Sequence, residues 1–156
     1  MDFSFELLEL LFSGAYEYLL KKTSGQDIDV SRLFIYYNAR VRDEGSDENL
    51  EDEGCTITSA IESLEEFGTC LESIWPYNAN RTNKRPSDEA YGAAENNTIN
   101  DALQVKINLH EMKSCLAQGF PFVFGLKLFK SFNQAAKKGV VPMPKQGDQG
   151  RESHGR

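Results

Sequence analysis

Two histidines, three cysteines and one tryptophan in 156 residues leave little for a metal centre or a redox site to be built from. The thiols Cys55, Cys70 and Cys115 are too few, too far apart and odd in number for a disulfide scaffold. No C-x-x-C, H-E-x-x-H, P-loop or G-x-G-x-x-G spacing occurs, so neither a metal nor a nucleotide cofactor is expected. A basic stripe is also missing. Lys and Arg number 17 against 24 Asp and Glu, for a net charge of -7. That whole excess sits in residues 43–53, as Asp43, Glu44, Asp47, Glu48, Glu51, Asp52 and Glu53. The remainder is neutral, with no cluster to grip phosphates, which argues against nucleic acid. Residues 1–20 are apolar, but Asp2, Glu6 and Glu9 stand where a secretory leader needs positive charge and are too many for a bilayer span. No membrane partner is expected, no compartment can be read, and no internal repeat is apparent.

What is present suits one folded domain, at 40% hydrophobic and 26% charged residues. Across residues 3–22, Leu7, Leu8, Leu11, Phe12, Ala15, Tyr16, Leu19 and Leu20 recur at helical steps, with Lys21 and Lys22 at the end and Gly25 as a stop. A second helix is predicted over 31–40, ending before an acidic run that reads as a solvated loop. A third is predicted over about 56–67, where Ile57, Ala60, Ile61, Leu64 and Phe67 keep step and Gly68 closes. Pro86-Ser87-Asp88-Glu89 can open a short helix through Ala94. Leu103, Val105 and Ile107 alternate like a strand, and Asn108 with Glu111 starts a helix over 109–118 that Gly119 closes. Residues 120–128 and 139–143 read as further strands, separated by a turn or short helix around 129–136. Helices first and strands second predict an α+β protein.

The residues with chemical potential do not combine by spacing alone. His110 and Cys115 share a predicted helix, but five residues at about 100° each leave them roughly 140° apart around its axis. Cys55 and Cys70 flank a helix roughly 18 Å long, beyond disulfide reach. The acidic run lacks the spacing and glycine of an EF-hand loop. Asn80-Arg81-Thr82 and Asn96-Asn97-Thr98 match the glycosylation sequon, a signal too short to count without an export signal.

Taken in order, several words resemble the papain-like cysteine peptidases, in particular their microbial-type branch. They are Gly14-Ala15-Tyr16-Glu17-Tyr18-Leu19, Leu33-Phe34-Ile35-Tyr36-Tyr37-Asn38-Ala39-Arg40, Asp52-Glu53-Gly54-Cys55 and Gly68-Thr69-Cys70-Leu71-Glu72-Ser73-Ile74-Trp75-Pro76-Tyr77. Leu116-Ala117-Gln118-Gly119-Phe120-Pro121-Phe122-Val123-Phe124-Gly125 and Gly139-Val140-Val141-Pro142-Met143-Pro144 follow. The resemblance implies a helical left lobe, a β-rich right lobe and a peptide-binding cleft between them. It divides this chain into a helical lobe at 1–77, a polar connection at 78–102, a partial β-rich lobe at 103–144 and a polar tail at 145–156. It also implies Thr56, Ile57 and Gly125 as substrate-binding residues, with Thr56-Ile57-Thr58 in place of the usual Asn-Gly-Gly.

The family's chemistry needs a thiolate at the start of the central helix, an oxyanion-stabilising Gln, and a His oriented by an Asn. Counting back from Gly14-Ala15-Tyr16 puts Leu7 at the nucleophile and Met1 near the Gln. His154 lies near the family's Cys-to-His interval, but Gly155-Arg156 follows it where an apolar strand belongs, so it reads as a solvated loop histidine. His110 reads as a surface helix residue. The disulfide that the resemblance gives to Cys55 lacks its other half, which implies a thiol there, and Cys70 and Cys115 read as packed thiols. The expectation is an incomplete papain-like domain without catalytic residues, marginally stable and prone to aggregate. Its alternatives are a pseudopeptidase that binds a peptide or a strand-donating partner chain, and residual hydrolysis by Cys55 with His154.

Overall fold

In a computed structural model, the backbone is described for residues 5–125, 129–147 and 150, and side chains within these ranges from Phe12 onward, except Lys138. The predicted strand segment 126–128, most of the tail, His154, and the side chain of Leu7 fall outside the described residues. Contacts divide the chain into two compact units, 1–123 and 124–156, each treated by itself below.

Helix α1, Phe5–Ser24, carries Lys21 and Lys22 in its last turn and stops at Gly25, whose amide donates to Lys21 O at 3.0 Å. Helix α2, Arg32–Glu44, starts where the Ser31 hydroxyl accepts the amide of Phe34 at 3.1 Å, and ends at Gly45 in the left-handed conformation. It runs four residues past the predicted end, into the acidic stretch. Cross-links to helix α3, Ile57–Glu66, sustain that last turn. Arg42 pairs with Glu62 and Glu66, each at 2.5 Å, and Asp43 accepts the Thr56 amide at 2.7 Å. The predicted third helix is thus α3, capped by Thr56, whose hydroxyl accepts the Ser59 amide.

Eight consecutive residues of α2, Leu33 to Arg40, are buried, because neighbours cover this helix on two sides. Ile35, Tyr36 and Ala39 pack with Phe12, Val30, Cys55, Ala60 and Leu64. Leu33 and Phe34 pack with Cys70, Trp75, Ala90 and Ala94. The last two alanines belong to α4, Asp88–Ala94, which Ser87 caps as the sequence predicts. Residues inside the polar stretch 78–102 therefore help build the core of the first unit. Phe34 and Tyr91 meet edge to face at 5.0 Å, and the Tyr91 hydroxyl donates to Asn38 Oδ1 at 2.7 Å.

Gly68, φ +70°, ends α3 where no other residue fits. A Cβ there would lie 2.3 Å from Ala94 O and 2.8 Å from Asn97 O. Beyond α4, helix α5, Leu109–Ala117, begins where Asn108 Oδ1 accepts the amides of His110 and Glu111. It closes at Gly119, φ +79°, with Phe120 N donating to Cys115 O at 3.1 Å in the manner of a Schellman motif. Lys22 of α1 caps this end, its Nζ 2.7 Å from Gly119 O and 5.2 Å from the Phe120 ring centroid.

The strands predicted at 103–107, 120–128 and 139–143 are corrected wherever residues are described. Residues 101–106 and 120–125 form no strand, and neither do 139–143. Among the described residues, antiparallel pairing is confined to the isolated bridges Val30 with Leu71 and Phe129 with Gly150. Alternation encodes a strand's faces but not the backbone that must pair with it. The described structure is therefore helix-rich with few paired residues, and the β-rich half of the predicted α+β arrangement is not seen. The second unit contains a 3-10 turn, Lys130–Gln134, and the short helix α6, Ala135–Lys138, which Gly139 ends, matching the predicted turn or short helix.

Candidate functional site

The segment 51–58 is held from both sides by α2. Tyr36 donates its hydroxyl proton to Asp52 Oδ1 at 2.5 Å and accepts the Gly54 amide at 3.1 Å. Burial, reinforced by the Asp52 hydrogen bond, pushes the phenol well above its ordinary range. Arg40, fully buried, stacks on the Tyr36 ring at 4.2 Å. Its guanidinium donates to Glu51 O at 2.7 Å, to Asn83 Oδ1 at 2.8 Å and to Thr82 O. Part of the acidic run is thus strapped to the core by its backbone while carboxylates such as Glu51 and Glu53 stay exposed. Gly54, φ +96°, then turns the chain into Cys55.

Thr56 and Ile57 lie together at the start of α3 in the first unit. The Thr56 hydroxyl donates to Asp43 Oδ1 at 2.9 Å, and Ser59 donates to the same oxygen at 2.5 Å. Ile57 packs inward against the first core cluster, which leaves Thr58 as the exposed residue of the three. Gly125 is exposed and belongs to the second unit. The clamp by Asp43 was missed in the sequence. Thr56 with Ser59 three residues on is a capping signal, but nothing local marks Asp43 as its third member.

All three cysteines are thiols. Cys55 is 3% exposed, and Cys70 is fully buried, its thiol pushed up to about 11 by that burial. Cys115 is half-buried in the last turn of α5, with Sγ 3.5 Å from Phe120 O. His110 lies in the first turn of the same helix and is exposed, as the sequence predicts. No group of three or more His, Cys, Asp or Glu among the described residues could hold a metal ion. An open depression beside Ile28 and Leu71 carries Asp27, Asp29 and Glu72. All three are engaged, by Lys21, Arg32 and the Tyr77 amide. No described helix is long and apolar enough to cross a membrane.

The helical first unit, with Gly54-Cys55 leading into α3, keeps the helical lobe and the Gly-Cys word that the sequence resemblance implies. Comparison with known proteins agrees. An uncharacterized peptidase C1-like protein of Acanthamoeba polyphaga mimivirus is 34% identical over 135 residues, covering 76% of this chain and 40% of that protein. Among solved structures, xylellain, a cysteine protease from Xylella fastidiosa, matches with a TM-score of 0.75 and 30% identity. That match takes in 92% of this chain and 58% of xylellain. No family model matches the chain. The chain belongs to the papain-like cysteine peptidase family. It spans about two fifths of the mimivirus protein and under two thirds of xylellain.

Proposed function

We propose that this chain is a papain-like polypeptide whose own cysteines do not carry out the family's thiol-dependent peptide hydrolysis. The observation that carries the reading is the composition of α1. This helix corresponds, by the words it contains, to the one that bears the nucleophile, and its residues Phe5–Ser24 include no cysteine. A second support comes from Cys70, whose buried thiol stays protonated at neutral pH and so is a poor nucleophile. In this reading Thr56, Ile57 and Gly125 keep a peptide-contacting role. Thr56 would bring to it an amide and a hydroxyl already bound to Asp43. The second reading is a pseudopeptidase that binds a peptide or a partner chain, favoured by the exposed apolar residues around α5.

Fluorogenic peptide substrates test the proposal directly. The expected outcome is a rate equal to buffer for the chain and for Cys55→Ala alike. An iodoacetamide-sensitive rate that disappears in Cys55→Ala would overturn it.

A further inference from the structure

The segment Thr56-Ile57-Thr58 lies in a stretch of chain with charge of one sign. No Lys, Arg or His occurs between Arg42 and Arg81, where eleven Asp and Glu stand. Ile57 packs inward and the Thr56 amide and hydroxyl are both bound to Asp43, so Thr58 is the exposed side chain a ligand would meet. Glu62 and Glu65 follow Thr58 at i+4 and i+7 on α3 and so share its face. Glu53 is exposed just before Gly54, on the other side of the segment. Arg42 engages Glu62 and Glu66, whereas neither Glu53 nor Glu65 pairs with a cation among the described residues. Asp43 is held by an amide and two hydroxyls, none of which carries charge.

We infer that the peptide met by this segment is a basic one, with Lys or Arg side chains that face Glu53 on one side of Thr58 and Glu65 on the other. The inference rests on the peptide-contacting role proposed for Thr56 and Ile57, and not on the absence of hydrolysis. The carboxylates do not themselves make the site; they select among the peptides that could occupy it. A surface of one sign concentrates ligands of the opposite sign and turns away those of its own. The arrangement suits an extended ligand better than a single ion. No group of three or more His, Cys, Asp or Glu among the described residues could hold a metal, whereas carboxylates strung along a helix face match cations strung along a peptide. Each exposed pair adds little, so the preference comes from their number.

The test measures fluorescence anisotropy of labelled peptides with the 156-residue chain, using an Arg-rich, a neutral and a Glu-rich peptide of equal length and apolar content. At low salt the Arg-rich peptide should bind about tenfold more tightly than either of the others, and the gap should close as added salt screens the charges. Glu53→Gln and Glu65→Gln should each weaken it about two- to threefold. Thr58→Arg, which sets a like charge inside the segment, should weaken it about tenfold, against less than about twofold for Glu95→Gln, the same change in net charge at the end of α4. All four positions are exposed, so the variants should melt like the unaltered chain. Equal losses from Thr58→Arg and Glu95→Gln would reduce the effect to overall charge and overturn the inference. A neutral or Glu-rich peptide bound as tightly as the Arg-rich one would also overturn it, yet leave the peptide-contacting role standing. Binding of none would end that role and the inference together.

Discussion

Helices α2 and α5 are built from similar ingredients and have opposite fates. Each starts at a polar cap and ends at a glycine, and each carries large apolar residues. From Leu33 to Arg40 every residue of α2 is buried, whereas α5 has no buried residue. The difference lies in what surrounds them. Two clusters close over α2, one from α1 and α3 and one from Cys70, Trp75 and α4. Leu109 and Leu116 of α5 remain exposed, and Lys22 of α1 caps its C-terminal end. Caps and propensity start and stop a helix, but burial of a face supplies most of its stability.

The sharpest way to break this comparison is to truncate one side chain in each helix. Phe34→Ala should cost about 3–5 kcal/mol, the range for a buried aromatic whose neighbours relax only partly. Leu116→Ala should stay within about 0.5 kcal/mol, as for an exposed site. Urea unfolding measures both, and a large loss at Leu116 would mean that α5 is covered in solution.

A smaller loss is expected at Arg40. Replacement by Met removes the charged donor to the part-buried Glu51 O and Thr82 O, at about 1.5–3 kcal/mol. Limited proteolysis should then cut within residues 45–54 sooner than elsewhere in the first unit. Unchanged cleavage would show that the strap is dispensable.

The smallest effect is on pH dependence. The Cys70 thiol titrates at about 11 when folded, above the ordinary thiol value, so the protonated form is the one the fold favours. Its contribution, on the order of 1–2 kcal/mol, is fully present below pH about 8.5 and is lost as pH rises through 11. Tyr36, raised in the same direction, adds to the loss. Melting temperature should fall above pH 9, and fall less steeply in Cys70→Ala.

The sequence made α1, α3, α4 and α5 legible because each carries a stripe or a cap within a few residues of its start. It also made the family legible, through words such as Leu33 to Arg40 whose density of apolar letters reflects a helix covered on more than one side. The last turn of α2 was not legible. Arg42 and Asp43 are polar, and what keeps them helical lies 13 to 24 residues away at Thr56, Glu62 and Glu66. Where they are described, the three predicted strands failed for a related reason, since Leu103, Val105 and Ile107 show the right alternation without the backbone to pair it. Of the candidate site, Cys55 and Thr56 could be located by their word, but not the hold that Tyr36, Arg40 and Asp43 keep on them.

The turn at Gly68 carries a consequence for how this chain can vary. Because the carbonyls of Ala94 and Asn97 crowd the space a methyl would need, any larger residue there must prise the end of α4 away from α3. Ala90 and Ala94 would then withdraw from Leu33 and Phe34, opening the second cluster from its rim. A single hydrogen atom thus acts as the keyhole through which a polar, turn-rich stretch is fastened to the buried helix α2.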